Sequence, residues 1–306
     1  MLQKNNHHQP VLLEESLKYL AVKEGQHYLD ATFGRGGHTQ AILDRGGLVI
    51  ALDFDQEAIE AGQENFKQAI ADQQLILLKE NFKNLQAVID NLSKTQAINL
   101  AGILFDFGTS SEQLTSRERG FSFSAQEDDI LDMRMDQDLG VTAGELLIVL
   151  SEKQLTKVLA EYGGERDAHR IAKAVNKIKK ENPNSLKYSR TLLAIIEKVK
   201  GSRSGKLHPA TKTFQALRIA VNDELNNLEL ALPAAFNVLQ NSTALDKRLV
   251  CIAFHEGEDA LVKRFFRQQS NQGLAQLLTK KPITASQAEL STNPRARSAK
   301  LRAIAI

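Results

Sequence analysis

"HYLDATFGRGGHTQAIL", residues 27–43, is the stretch on which the fold turns. A strand-like run ends in a glycine-rich corner, and a helix-like run follows. A strand that enters a helix through glycines opens a βαβ unit, and such corners hold a cofactor's phosphates or its nucleoside. A tight strand-to-helix turn that binds nothing reads the same way. The neighbouring segments decide between them.

Working outward, "YLDATF" (28–33) reads as a first strand and "HTQAIL" (38–43) as a helix start. "GLVIALDFD" (47–55) is a second, buried strand, and "QEAIEAGQENFKQAI" (56–70) is helical by periodicity. "QLILLKENF" (74–82) is a third strand, "KNLQAVIDNL" (83–92) a short amphipathic helix, and "AGILFDFG" (101–108) a fourth strand. Strands alternating with helices predict a parallel sheet. Right-handed crossovers then line the strand C-termini along one edge, where ligands bind.

Beyond 108 the texture changes. Residues 109–140 carry no sustained period and read as a long loop; loops of that length are usually functional or disordered. From about 142 to 199 every pattern is helical, and "GSRSGKLHPATK" (201–212) is a break. "KTFQALRIAVNDELNNLELAL" (212–232) reads as one amphipathic helix with Phe214, Leu217, Val221, Leu225 and Leu228 on one face. "KRLVCIAF" (247–254) and "AKLRAIAI" (299–306) return to strand, with a helix at 258–269 between them. The expected class is α/β. A sheet domain over 1–112 and 208–306 is interrupted by an inserted loop plus helical domain over 113–207.

Composition narrows the function. With 306 residues, 42% of them hydrophobic, the chain can bury a proper core. Lys and Arg number 39 against 37 Asp and Glu, a net charge of +2, so a nucleic-acid partner requires clustered rather than abundant cations. One cysteine, Cys251, excludes an internal disulfide and a Cys-based zinc site and fits a reducing cytosol. The N-terminus is too polar for a signal peptide, and no apolar run approaches a membrane span. We therefore expect a cytoplasmic protein with no membrane contact. "HEGED" (255–259) invites a metal reading, but a lone His beside flexible acids more often caps the following helix; no metal site is expected.

The corner itself runs Gly34-Arg35-Gly36-Gly37-His38-Thr39. It begins like G-x-G-x-x-G, but Thr39 stands in the third glycine's place, which weakens a dinucleotide reading. Asp53 ends the second strand and can accept hydrogen bonds from both ribose hydroxyls of an adenosine. Phe82, after the third strand, can border the adenine. Asp106 ends the fourth strand in "FDFGTSS", facing the reactive end of a bound cofactor on this topology. N-methyltransferases acting on exocyclic amines often carry such a turn. A cytosine or adenine amino nitrogen has its lone pair delocalised into the ring. An acceptor on its N–H pulls the nitrogen toward tetrahedral geometry and frees that pair. A sulfonium already activates its methyl group, so the protein's work is placement and electrostatics.

At this point the residues resemble a known family. "HQPVLLEE" (8–15), "DATFGRGGHT" (30–39), "ALDFDQEAI" (51–59), "GILFDFGTSSEQL" (102–114), "RGFSF" (119–123), "LDMRMD" (131–136), "HPATKTFQALRIAVNDEL" (208–225), "VKRFF" (262–266) and "NPRARSAKLR" (293–302) resemble the MraW family of ribosomal RNA small subunit methyltransferases H. The resemblance covers nearly the whole chain. It implies a Rossmann-like class I methyltransferase domain with an inserted all-helical domain. It also implies S-adenosyl-L-methionine as cofactor and N4-methylation of a cytidine, position 1402, in 16S rRNA. Carried over residue by residue, Gly36, Gly37 and His38 look like the cofactor loop, Asp53 like the ribose acid and Phe82 like the adenine neighbour. Asp106 and Gln113 correspond to further cofactor contacts. The sequence departs from the family at Asp129-Ile130, where Gly-Pro is usual, at Glu256, Gly257 and Ala260, and at Glu112 and Thr115. None of these removes an assigned cofactor residue.

A base inside folded RNA must be extruded to reach a methyl donor. Phe121 and Phe123 offer stacking faces beside Arg117 and Arg119. Arg166, Arg170, Lys173 and Lys177 recur at near-helical spacing, as either a phosphate face or an ordinary solvated one. Arg295 and Arg297 can follow an RNA backbone or pin the last strand. The expected partner is 16S rRNA within the small ribosomal subunit, with no obligate protein partner evident. A catalytically idle rRNA-binding assembly factor on the same fold is the alternative. A nicotinamide oxidoreductase is disfavoured by Thr39 and the long insert.

Overall fold

The computed structural model describes residues 9–108, 120, 129–136, 140–201 and 208–306. Two compact units emerge, one from residues 1–108 and 225–306, the other from 109–224.

The first unit is built on a seven-stranded sheet. Its strands are β1 (His27–Asp30), β2 (Leu48–Asp53), β3 (Leu75–Lys79), β4 (Leu100–Asp106), β5 (Arg248–Ala253), β6 (Gln276–Leu277) and β7 (Lys300–Ala305), in the order β3-β2-β1-β4-β5-β7-β6. The first five pair in parallel; β7 runs antiparallel to β5, and β6 antiparallel to β7. This is the expected Rossmann-like class I methyltransferase sheet. Strand residues alternate between two cores. Tyr28, Val49, Ala51, Leu104, Val250 and Ile252 enter one. Leu29, Ile50, Leu52, Ile103, Phe105, Leu249 and Cys251 enter the other. Burial on both faces explains why the strands read as nearly continuous apolar runs. The first core also takes Leu17 and Leu20 of α1 (Leu13–Leu20) and Ala41 and Ile42 of α2 (Gly37–Leu43). Below β2 lie α3 (Gln56–Asn65), which starts at the Asp55 N-cap, and α4 (Lys67–Ala71). The expected single helix 56–70 is broken at Phe66. The second core takes α5 (Leu85–Leu92).

The second unit is helical: α6 (Ala143–Val149), α7 (Glu152–Gly163), α8 (Ala168–Glu181), α9 (Ser189–Lys200) and α10 (Thr211–Asn222). Thr142 and Ser151 each form a reciprocal capping box with the third residue on, which fixes the starts of α6 and α7. The unit extends to 224, whereas the sequence pattern ends the insert at 207. Residues 209–216 are locked into it. A Cβ on Gly163 would lie 2.2 Å from the Lys212 carbonyl oxygen, so α7 and α10 touch backbone to backbone. Lys200 Nζ donates to Glu165 Oε2 and to the Pro209 carbonyl, both at 2.5 Å.

The expected helix 212–232 is also two helices. Asp223 adopts φ 51 and caps α10, and α11 (Glu224–Asn241) starts anew, belonging to the sheet unit from Leu225 on. Phe214 and Leu217 therefore belong to one unit and Leu228 to the other, and the single apolar face does not exist. Asn222, the last residue of α10, explains the stop. Its Nδ2 donates to the Met133 carbonyl and its Oδ1 accepts from the Met135 N–H, both at 2.8 Å. Between them Met133 is buried with φ 64, a left-handed conformation held by this clasp. The chain closes with α12 (Glu256–Asn271) and α13 (Gln287–Thr292). Among the described residues no helix is long and apolar enough to cross a membrane.

Candidate active site

The strand order reverses between β1 and β4, and their C-terminal ends flank the crevice where open α/β sheets bind ligands. Three carboxylates gather on this edge: Asp30 ends β1, Asp53 ends β2 and Asp106 ends β4.

The chain leaving β1 stays zipped to both neighbours. Ala31 N–H donates to the Leu104 carbonyl and Phe33 N–H to that of Leu52. The corner then turns at Gly36, φ 73. A Cβ there would lie 2.6 Å from the Phe66 ring and 2.8 Å from that of Phe33, and a Cβ on Gly37 would lie 2.3 Å from Pro10 Cγ. Both glycines are therefore demanded by the protein's own packing.

Thr39 gains a role the sequence pattern did not suggest. Its Oγ1 donates to Asp30 Oδ2 at 2.7 Å, while Thr32 N–H donates to Asp30 Oδ1 at 3.2 Å. Asp30 is 1% exposed; burial lifts its carboxyl to about 6, and these hydrogen bonds offset part of the rise. Asp53 accepts from Gly34 N–H at 2.7 Å and Asp55 N–H at 2.9 Å. Burial lifts it likewise to about 6 against those bonds.

Asp106 is positioned from two sides. Its N–H donates to Thr32 Oγ1 at 2.7 Å, and the next residue, Phe107, donates to the Ile252 carbonyl of β5. Its Oδ2 lies 3.7 Å from His38 Nδ1, beyond hydrogen-bond reach. Its Oδ1 has no hydrogen-bond partner among the described residues. The side chain is a fifth exposed, 21%, while Oδ1 itself is buried. Burial and then the Asp30 charge push its carboxyl up to about 7; the Gly108 N–H works downward and the Glu258 charge upward.

The β5 end is closed by α12. His255 is its N-cap, as expected: Nδ1 accepts from the N–H groups of Gly257 and Glu258. Glu258 Oε2 accepts from Phe254 and His255 N–H, completing the box.

The edge thus brings together Gly36, Gly37, His38, Asp53 and Asp106. Phe82 opens the turn after β3; its ring stands edge-on to Phe105 at 5.7 Å and 6.1 Å from Phe107. Arg295 and Arg297 share a 3-10 turn, Pro294–Ser298; Arg295 is half-buried, which pulls its guanidinium pKa down, and Arg297 is exposed. Asn293, just ahead of that turn, donates to the Gln9 carbonyl, beside the Pro10 that covers Gly37. Gln113, Arg119, Phe121 and Phe123 lie outside the described residues. Sequence reasoning missed Asp30, Thr32 and Thr39. An acid closing an apolar strand, with hydroxyls two and nine residues on, was the available signal.

The edge fits an adenosyl sulfonium. Its buried acids are costly to ionise alone and favour a cation, and Asp106 Oδ1 is an acceptor without a donor.

Comparison with known proteins agrees. The model of the MraW methylase family matches residues 5–306. Ribosomal RNA small subunit methyltransferase H of Idiomarina loihiensis is 42% identical over 99% of this chain and 98% of its own length. The protein of that name from Heliobacterium mobile is 41% identical over 97% of each. The chain belongs to the MraW methylase family.

Proposed function

We propose that the chain methylates the N4 amine of a cytidine, position 1402, in 16S rRNA of the small ribosomal subunit, in the cytoplasm. It is a methyltransferase, and S-adenosylmethionine is its cofactor. The relatives' name, ribosomal RNA small subunit methyltransferase H, supports small-subunit rRNA as the substrate, and the strand-end acid Asp106 supports an exocyclic amine as the acceptor.

In this reading Asp53 holds the ribose hydroxyls, Gly36, Gly37 and His38 border the cofactor, and Phe82 and Gln113 lie against it. When bound, the sulfonium supplies an activated methyl group. The helical unit serves the RNA side, with Arg119, Phe121 and Phe123 as contacts, joined by Arg295 and Arg297. Asp106 is the catalytic residue. Its carboxylate accepts a hydrogen bond from the cytosine amino group, which localises the nitrogen lone pair. As the N–C bond forms and the methyl's bond to sulfur breaks, its electron pair staying on sulfur, the amine proton passes to that carboxylate. His38 Nδ1, 3.7 Å from Oδ2, is the next group along; such pairs are often slightly long before substrate binds.

The observation that carries the reading is a partly exposed carboxyl at the strand-order reversal, one oxygen of which is buried without a hydrogen-bond partner among the described residues. The test uses small subunits from cells lacking this gene, with mass-spectrometric mapping of 16S rRNA. The unaltered chain is expected to restore one methyl on one cytidine. Asp106→Asn is expected to slow transfer by about 10²–10⁴, the usual worth of a general base. No methyl from the unaltered chain, or a methyl on another nucleotide, overturns the assignment.

A further inference from the structure

The cations of α8 are not spread around the helix. Arg170, Lys173, Lys177 and Lys180 recur at three- and four-residue steps and so share one face, and Arg166 lies just ahead of the helix. All five are exposed. Ala168, Ile171, Ala172 and Val175, on the opposite face, are buried. The cations therefore form the outermost line of the helix, with one charge about every 5 Å.

Ordinary causes do not account for it. A solvated face mixes signs, and this chain's basic and acidic residues nearly balance, 39 to 37. The helix dipole favours cations near the C-terminus, which covers Lys180 but makes Arg170 and Lys173, in the N-terminal half, unfavourable. Two acids flank the line: Asp167 pairs with Arg170 at 2.9 Å and Glu181 with Lys177 at 3.9 Å. The Lys177–Glu181 pair is exposed on both sides and Arg170 is exposed at its pair with the half-buried Asp167, so both cations can exchange these partners.

We propose that this line is a docking track for the ribose–phosphate backbone of the RNA substrate, resting on the rRNA reading above. Regularly spaced cations of one sign suit a polyphosphate. An acidic protein surface fits less well, because protein interfaces centre on apolar and aromatic side chains. Among the described residues α8 exposes no large apolar group.

The test is a salt titration of binding, to protein-free 16S rRNA and to small subunits. It compares the unaltered chain, K173Q/K177Q/K180Q, and the charge-matched control K67Q/K94Q/K281Q. Three lost phosphate contacts are expected to flatten the slope of log K against log salt by about 2, at roughly 0.7 per contact. The control is expected to keep the full slope, and all three proteins the same thermal shift with adenosylhomocysteine. An unchanged slope in the α8 variant, or an equal loss in the control, overturns the track. Lost subunit binding with an intact slope on free rRNA overturns it in favour of an acidic protein partner. If the unaltered chain binds both RNAs but transfers no methyl, the proposed function fails, while the track is still judged on its slopes. If it binds neither, both fall.

Discussion

Asp106 carries two burdens that act in the same direction. Burial disfavours its charge, and so does the neighbouring Asp30 carboxylate; together they lift it to about 7. A general base works best with its pKa near the operating pH, and it must be ionised to accept a proton. Methyl transfer is therefore expected to rise with pH through about 7 and then level. Removing the Asp30 charge removes an upward push, so Asp30→Asn is expected to move the rising limb to lower pH. That variant keeps the acceptor for Thr39 Oγ1 and loses the one for the Thr32 N–H. A pH–rate profile of kcat/KM checks both expectations. A limb at the same pH in Asp30→Asn would mean that the two carboxyls do not sense each other. A flat unaltered profile would mean that Asp106 does not take the proton.

At the scale of elements, the entry of α2 into the crevice is set by a close approach of Pro10 to Gly37. Gly37 lies directly beneath Pro10, where a Cβ would come within 2.3 Å of a ring carbon. Two residues after Pro10 comes Leu12, whose N–H donates to Glu289 Oε1 at 2.8 Å. Ligand-edge geometry thus depends on a peptide strap that the pattern of the corner alone does not reveal. Gly37→Ala is expected to cost about 1–3 kcal/mol, as overpacking does, and to lower the melting temperature. Pro10→Ala opens the space, so the double variant is expected to recover most of that loss. A thermal-denaturation double-mutant cycle measures the coupling; strict additivity would show that Gly37 is required for another reason. The altered family positions fare differently. Ile130 pairs with Tyr188 through Leu131 N–H to the Lys187 carbonyl and Ser189 N–H to the Asp129 carbonyl. The Ile130 N–H takes no part in that pairing, so the backbone here suits the family's usual proline equally well.

At the scale of the whole chain, the parallel sheet was legible because its strands are apolar runs between amphipathic helices, and periodicity is local information. The break at Asp223 was not, because no Gly or Pro marks it; Asn222 is held by a loop ninety residues earlier in the chain. The two-residue β6 is too short to leave a pattern. The site divides in the same way. Asp53, His38 and Asp106 announce themselves by position at strand ends and the corner, whereas Asp30 and Thr39 become a buried pair only once β1 is enclosed by β2 and β4. That enclosure has a thermodynamic consequence. Asp30 and Asp53 at about 6 and Asp106 at about 7 all stand above the ordinary 3.8, so the folded chain binds protons that the unfolded chain releases. Their contribution is full below about pH 4 and is lost as pH rises through 6 and 7. Burial of His27 lowers its pKa and acts oppositely, favouring the folded state as pH rises toward its unfolded value of 6.5, but it is one group against three. The ligand-free chain is therefore expected to melt at lower temperature at pH 8 than at pH 5, with the fall between 6 and 8 reduced in Asp106→Asn. Differential scanning fluorimetry across that range reads it directly. A melting temperature that climbs from pH 5 to 8 would mean that these carboxyls are ionised at little cost, and that the crevice lacks the unmet demand for a cation on which its fit to a sulfonium rests.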